Sequence, residues 1–180
     1  DYRHYTARDY GTRVGIDRLL GAFDAVGAKV SIATNAAIAT RYPGLVADIV
    51  ARGHEIVAHS TDMNGTIASG CDWVNDELPY AFRNGLINLP LNHELSDRQI
   101  VAVQQQSADS YADSMRDAFD WLTREADAHG GRMLPLNVTP YIMGLPYRIG
   151  AFEGLLADLK SKGAWFATGG NIVDAWERQQ

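Results

Sequence analysis

The sequence predicts an α/β fold in which helices alternate with short parallel strands, and three observations predict it. Apolar residues at helical spacing alternate with short apolar runs along the chain. The connections have the few-residue length that strand–helix units use. Polar and titratable residues gather where the apolar runs end: Asn35, His59 to Asp62, Asn75 to Glu77, His93-Glu94, Thr139 to Tyr141, and Thr168. In parallel α/β architectures that end of the strands carries the chemistry.

Taken in order, residues 1–11 are polar and aromatic and read as an ordered arm. Ile16, Leu19, Leu20, Phe23 and Val26 follow helical spacing, and Gly27 stops that helix. Lys29 to Thr34 reads as a buried strand, Asn35 to Thr40 as a short helix, and Pro43 as the first residue of another. Glu55 to Ala58 is the second strand, with His59 at its end. Asp72 to Val74 reads as a short strand, and Asn75 to Tyr80 carries turn chemistry. Leu86 to Leu91 is a strand that holds Pro90, so it lies at an edge or ends there. Asn92 to Asp97 is a polar loop. Ser107 to His129 is the clearest helix, with Tyr111, Met115, Ala118, Phe119, Leu122 and Ala126 as its stripe. Arg132 to Val138 and Ala164 to Ala167 read as strands, Arg148 to Lys162 and the segment after Gly170 as helices.

The 180 residues fit one domain, 1–180, long enough to bury a sizeable core. A net charge of -6 with no Lys/Arg stripe gives nucleic acid or an anionic membrane no electrostatic footprint. No apolar run approaches the roughly 20 residues of a membrane span. Cys71 is the one cysteine, so an intrachain disulfide is excluded and a reducing, cytoplasmic compartment is expected. The chain opens on Asp1 without an initiator Met, so sequence upstream is expected to have been trimmed. A phosphate-cradling Gly-x-x-x-x-Gly-Lys loop and a Gly-x-Ser-x-Gly elbow do not occur, which disfavours a nucleotide binder and a serine hydrolase.

Five segments follow one another in a recognisable order. They are Tyr10-Gly11-Thr12-Arg13-Val14-Gly15; Arg41-Tyr42-Pro43 with Gly53 to His59; Asp72-Trp73 with Asn75 to Tyr80; Thr139-Pro140-Tyr141 with Gly144 to Ile149; and Ala167 to Gly170. Together they resemble the polysaccharide-deacetylase (NodB-homology) superfamily, in its allantoinase-like and peptidoglycan-deacetylase-like branch. The resemblance implies a parallel (β/α) barrel and hydrolysis of a non-peptide C–N bond. It also exposes departures. The strand bearing the catalytic Asp is expected upstream of residue 1. An Arg-x-Pro segment is expected between His59 and Asp72, where only about a dozen residues stand, so residues are deleted or missing near 69–71. The barrel is therefore expected to be distorted or incomplete. Met63 stands where the resemblance implies a second metal-binding His, and Thr139 where it implies a His that acts as general acid.

Amide hydrolysis needs an activated water, a group to hold the oxyanion, and a proton for the leaving nitrogen. His59 and Asp62 are the candidate ligands of one divalent ion, zinc; the competing reading makes His59 a hydrogen-bonded strand end and Asp62 a helix cap. A thioether such as Met63 is a poor ligand for that ion. His54 precedes its strand and reads as structural. His59, Asp76, His93 and Glu94 are the candidate catalytic groups. Glu77, Tyr80, Thr139, Tyr141 and Arg148 are the candidate substrate contacts, set against surface turns and core packing. Arg148 stands out because a cation at a helix start opposes the helix dipole. Gly169-Gly170 before a helix offers an anion site on weak evidence.

The expected function is a C–N hydrolase of a carbohydrate or small molecule. The alternative is a binding or structural protein that kept the scaffold and lost its acid/base groups. An incomplete barrel exposes apolar surface, so a homo-oligomer is expected. Light scattering at micromolar concentration should give a mass above that of one chain, and a monomer would contradict this.

Overall fold

The computed structural model describes residues 2–59, 77–82 and 87–179. They divide into two compact units.

The first unit takes Asp1–Val26, Trp73–Leu78 and Pro90–Trp165. It opens with helix α1 (Tyr2–Tyr10), a π-helical turn (Gly11–Gly15) and α2 (Ile16–Val26). The backbone stays helical through Tyr10 and Ile16, so these form one run with a wide turn in its middle. The segment expected as an arm is thus a helix. Its polar composition hid it, because it lacks the apolar periodicity that announces one. Ile16, Leu19, Leu20 and Phe23 are buried at i, i+3, i+4 and i+7. They face α7 (Ile149–Ser161), whose Phe152, Leu155, Leu156 and Leu159 are also buried. The Phe23 and Phe152 rings meet edge to face at 5.6 Å. Helix α5 (Ala108–His129) packs on the same helix. Ser107 caps it by accepting from Ser110 N at 3.0 Å. Arg116 reaches across to Asp158 at 2.8 Å, a half-exposed pair that contributes about 1 kcal/mol or less.

The four-residue α6 (Pro140–Met143) presses directly on the π-helical turn. A Cβ on Gly15 would lie 2.2 Å from the Pro140 carbonyl oxygen, and one on Gly144 would lie 2.4 Å from the Gly15 oxygen. Backbone meets backbone here, and only glycine permits it. Arg18 bolts the contact by donating to Tyr10 Oη at 2.6 Å and to the Gly144 carbonyl at 2.8 Å.

The second unit takes Gly27–Asp72, Pro79–Leu89 and Phe166–Gln180. Strand β1 (Ser31–Thr34) leads through α3 (Ala36–Arg41) and α4 (Pro43–Ala51) to β2 (Glu55–Ala58). The strands pair in parallel, Ser31 opposite Glu55 and Thr34 opposite Ala58. Asn35 caps α3 by accepting from Ile38 N at 2.8 Å, and Pro43 starts α4 as expected. His54 is 5% exposed, and its Nδ1 accepts from Val30 N at 3.3 Å, the structural role its position implied. Helix α8 (Gly169–Glu177) is capped by Thr168 and Asn171 in a reciprocal box. Its first amides are occupied from within the unit. Gly169 N donates to Ser31 Oγ at 2.7 Å, and Gly170 N donates to the Glu55 carboxylate at 3.2 and 3.4 Å. The anion at Gly169-Gly170 is therefore Glu55 of the same chain.

Three strand expectations need correction. Leu86 to Leu91 shortens to β4 (Ile87–Asn88), which pairs antiparallel with β3 (Tyr80–Ala81). The few residues between them suffice for a hairpin but not for a parallel crossover. Residues 132–138 form no strand; Met133 N bonds to Glu77 O and Asp97 N bonds to Asn137 O, which are separate contacts rather than a ladder. Residues 164–167 are likewise irregular. Asp72 to Val74 lies outside the described residues. Among those residues no helix is long and apolar enough to cross a membrane.

Gly15→Ala should lower stability by about 1–3 kcal/mol in urea unfolding, because the methyl group must displace backbone. Gly21 has nothing within 4 Å of its would-be Cβ. Gly21→Ala should therefore raise stability by up to about 1 kcal/mol. Equal effects would refute the close-contact account.

Candidate functional site

The chain turns tightly over residues 92–96. Asn92 Oδ1 accepts from Glu94 N at 3.0 Å and Leu95 N at 3.1 Å, and Ser96 Oγ donates to the His93 carbonyl at 2.7 Å. Ser96 Oγ also accepts from Gln99 N at 3.1 Å, which caps the helical turn that continues as a second π-helical segment (Arg98–Val103). Ile100 and Val101 anchor that segment in the core. The result carries Asp97 inside, at 0% exposure, and leaves His93 and Glu94 outside.

Asp97 meets Thr139, the half-buried residue before α6. Thr139 N donates to Asp97 Oδ2 at 2.6 Å, and Thr139 Oγ1 lies 3.0 Å from Oδ1, donating to it when the carboxylate is charged. Both carboxyl oxygens are thus engaged by one residue. Burial pushes the Asp97 carboxyl up from an ordinary 3.8 to about 7. The two Thr139 bonds, the Arg98 amide and the Arg148 charge pull it down and lose to desolvation. Behind the pair lies the fully buried Tyr111, whose hydroxyl has no hydrogen-bond partner among the described residues. Burial first, and then the Asp97 charge, hold that phenol well above its ordinary range.

The sequence-predicted residues are distributed over both units. Thr139 and Arg148 bear on Asp97, Arg148 through its charge, while it donates to the Ile142 carbonyl at 3.3 Å with its guanidinium 5.1 Å from the Tyr147 ring centre; Tyr141 lies against Gly11. His93 and Glu94 sit exposed on the turn just before Asp97. Glu77, also exposed, edges a shallow cleft of about 200 Å³ floored by Leu95, Leu122 and Met133. In the second unit, His59 is exposed after β2 with its amide bonded to Thr34 O at 3.1 Å, and Tyr80 packs edge to face on Phe82. Asp62 and Asp76 lie outside the described residues. Among those residues no three His, Cys, Asp or Glu side chains gather as a metal site. His59 is therefore without companion ligands among them, and no chemical step is routed through a metal.

Asp97 is the residue that sequence reasoning passed over. It ends a polar stretch and reads as one more loop acid. The available signal was Ser96-x-x-Gln99 ahead of Ile100-Val101, a helix-start pattern that would have placed Asp97 inside the first turn.

No protein-family model matches the sequence, and no curated protein matches it. Solved structures do. The chain superposes on Puue allantoinase with a TM-score of 0.85 at 22% identity, over 99% of this chain and 77% of that one. It superposes equally, at 0.85 and 21% identity, on a protein described as a polysaccharide deacetylase from Pseudomonas aeruginosa PAO1, over 100% of this chain and 78% of that one. A third, described as a polysaccharide deacetylase from Mycobacterium smegmatis, gives 0.76 at 19% identity, over 97% and 80%. The chain therefore has the polysaccharide-deacetylase type of α/β fold that its motifs implied, in an incomplete form with only small sheets among the described residues.

A carboxyl that ionises near 7 when folded and near 3.8 when unfolded gives stability a definite slope. The folded state holds that proton more tightly, so stability falls as pH rises from about 4 to about 7, by something on the order of 4 kcal/mol. Asp97→Asn removes the titration. Urea midpoints at pH 5 and pH 8 should differ less for the variant than for the parent, and an unchanged difference would place the ionisation elsewhere.

Proposed function

We propose that the protein hydrolyses a non-peptide carbon–nitrogen bond in an N-acetyl amino sugar or a small cyclic amide or ureide. The observation that carries this reading is the buried Asp97 acid behind Thr139, in a fold shared with an allantoinase and with proteins described as polysaccharide deacetylases. A carboxyl that titrates near neutrality is suited to proton transfer at working pH. Arg148 supplies positive charge beside it, which favours an oxyanion developing nearby. His93 and Glu94, exposed on the adjoining turn, are candidates among the described residues for activating water. His59 and Asp62 would be the ligands of a zinc ion, which would supply Lewis-acid chemistry if bound; none of the roles given to Asp97, Thr139, Arg148, His93 or Glu94 depends on it.

One observation favours the rival reading of a binding protein without catalysis. With Asp97 ionised, the Thr139 hydroxyl spends its single proton on that carboxylate. It then offers a substrate lone pairs only.

Incubating the full chain with N-acetylglucosamine oligomers and with allantoin, and measuring acetate release and ring opening, separates the two. Turnover that drops about 10²-fold or more in His93→Ala or Glu94→Ala supports the hydrolase and names its base. Loss of turnover on chelation, restored by zinc, supports the metal. Saturable binding with no turnover in either assay supports the rival.

A further inference from the structure

Asp97 is completely buried and cannot touch a substrate, whereas Thr139 is partly exposed and holds both of its carboxyl oxygens. A threonine cannot itself act as an acid near neutrality, but its hydroxyl can accept one proton while giving up another. We propose that Asp97 is a positioning residue that stores a proton and delivers it, through the Thr139 hydroxyl, to the nitrogen that leaves. This rests on the hydrolytic reading above.

The step balances. Once water has added to the carbonyl, the C–N bond breaks and its electron pair goes to nitrogen. The Thr139 O–H proton moves to that nitrogen while the Asp97 carboxylic proton moves to Thr139 Oγ1. Asp97 is left as a carboxylate that accepts from Thr139 N, Thr139 Oγ1 and the Arg98 amide, with the Arg148 charge nearby. The proton taken from the attacking water by the general base returns through solvent to Thr139 Oγ1, which passes its own proton back to Asp97. Amide and water thus become acid and amine, with no other reactant.

The surroundings suit a store that must both hold and release. Helix α5 presents Tyr111, which stays a neutral phenol. Helix α6 carries Tyr141, turned against Gly11, and the turn after it carries Arg148. Among the described residues, Arg148 is the charged group that bears on the Asp97 carboxyl, and it favours the carboxylate that the step leaves behind. Burial opposes that carboxylate and sets the carboxyl near 7, so the proton is present below neutrality and leaves above it.

The test combines the pH dependence of kcat/KM with a ¹³C-carboxyl titration of Asp97, on the full chain and two variants. Thr139→Ser keeps the hydroxyl, and Thr139→Val keeps the shape and the amide bond without it. The parent and Thr139→Ser should lose activity as pH rises through the Asp97 midpoint. Thr139→Val should fall about 10²-fold and lose that limb, and its Asp97 midpoint should move upward because a stabilising donor has gone. Full activity with an unchanged profile in Thr139→Val would overturn the relay and leave the hydrolase reading intact. A parent that hydrolyses neither substrate class would overturn the hydrolase reading and the relay with it; where turnover is present, the carboxyl titration is the second test of the relay. A midpoint near the ordinary 3.8, or one that Thr139→Val does not move, would overturn it. An elevated midpoint that rises in Thr139→Val would support it.

Discussion

A carboxyl group with no exposed surface has to find donors inside the protein, and at Asp97 two of them come from Thr139, one to each carboxyl oxygen. Much of the first unit's local order follows from this pairing. It pins the turn at 92–97 to the residue that starts α6. The Thr139 carbonyl in turn accepts from Ile142 N and Met143 N, both at 2.9 Å, which closes that short helix. The helix is then held from the other side by backbone contact with Gly15 and Gly144 and by Arg18. Four residues could not stay helical alone; here the neighbours on both sides fix them.

Leaving a buried acid at the centre of this arrangement costs stability once it ionises. A residue serving architecture alone would carry less penalty as Asn. The same burial gives the carboxyl a proton it can exchange near neutrality. In the relay proposed above, Thr139 would connect that proton to substrate, since the resemblance implies a titrating His at its place and a hydroxyl has no such proton of its own.

Much of the fold was legible in the sequence where one face of an element is apolar or a cap is explicit. Ile16 to Phe23, Ser107 at the head of α5, Asn35 and Pro43 all act as their residue types suggest. The misses share a cause: the deciding contact is remote in sequence. Tyr2–Tyr10 is helical without an apolar stripe. Residues 132–138 have strand composition, yet among the described residues their backbone partners are single groups on Glu77 and Asp97 rather than a neighbouring strand. Gly169-Gly170 does head a helix, but nothing local reveals that Glu55 fills the anion position. Of the residues around Asp97, Thr139 and Arg148 stand out in the sequence through the motif that carries them. Asp97 was not, because burial is a tertiary property and its neighbours Asn92, His93 and Glu94 are polar.

Amide hydrogen exchange at Thr139 tests the central claim most directly. The amide lies in an otherwise irregular stretch, so its protection depends on the bond to Asp97 Oδ2. Slow exchange in the parent, accelerated strongly in Asp97→Ala and less in Asp97→Asn, is the predicted result. Exchange at the rate of an unstructured chain in the parent, or protection indifferent to both substitutions, would contradict the account.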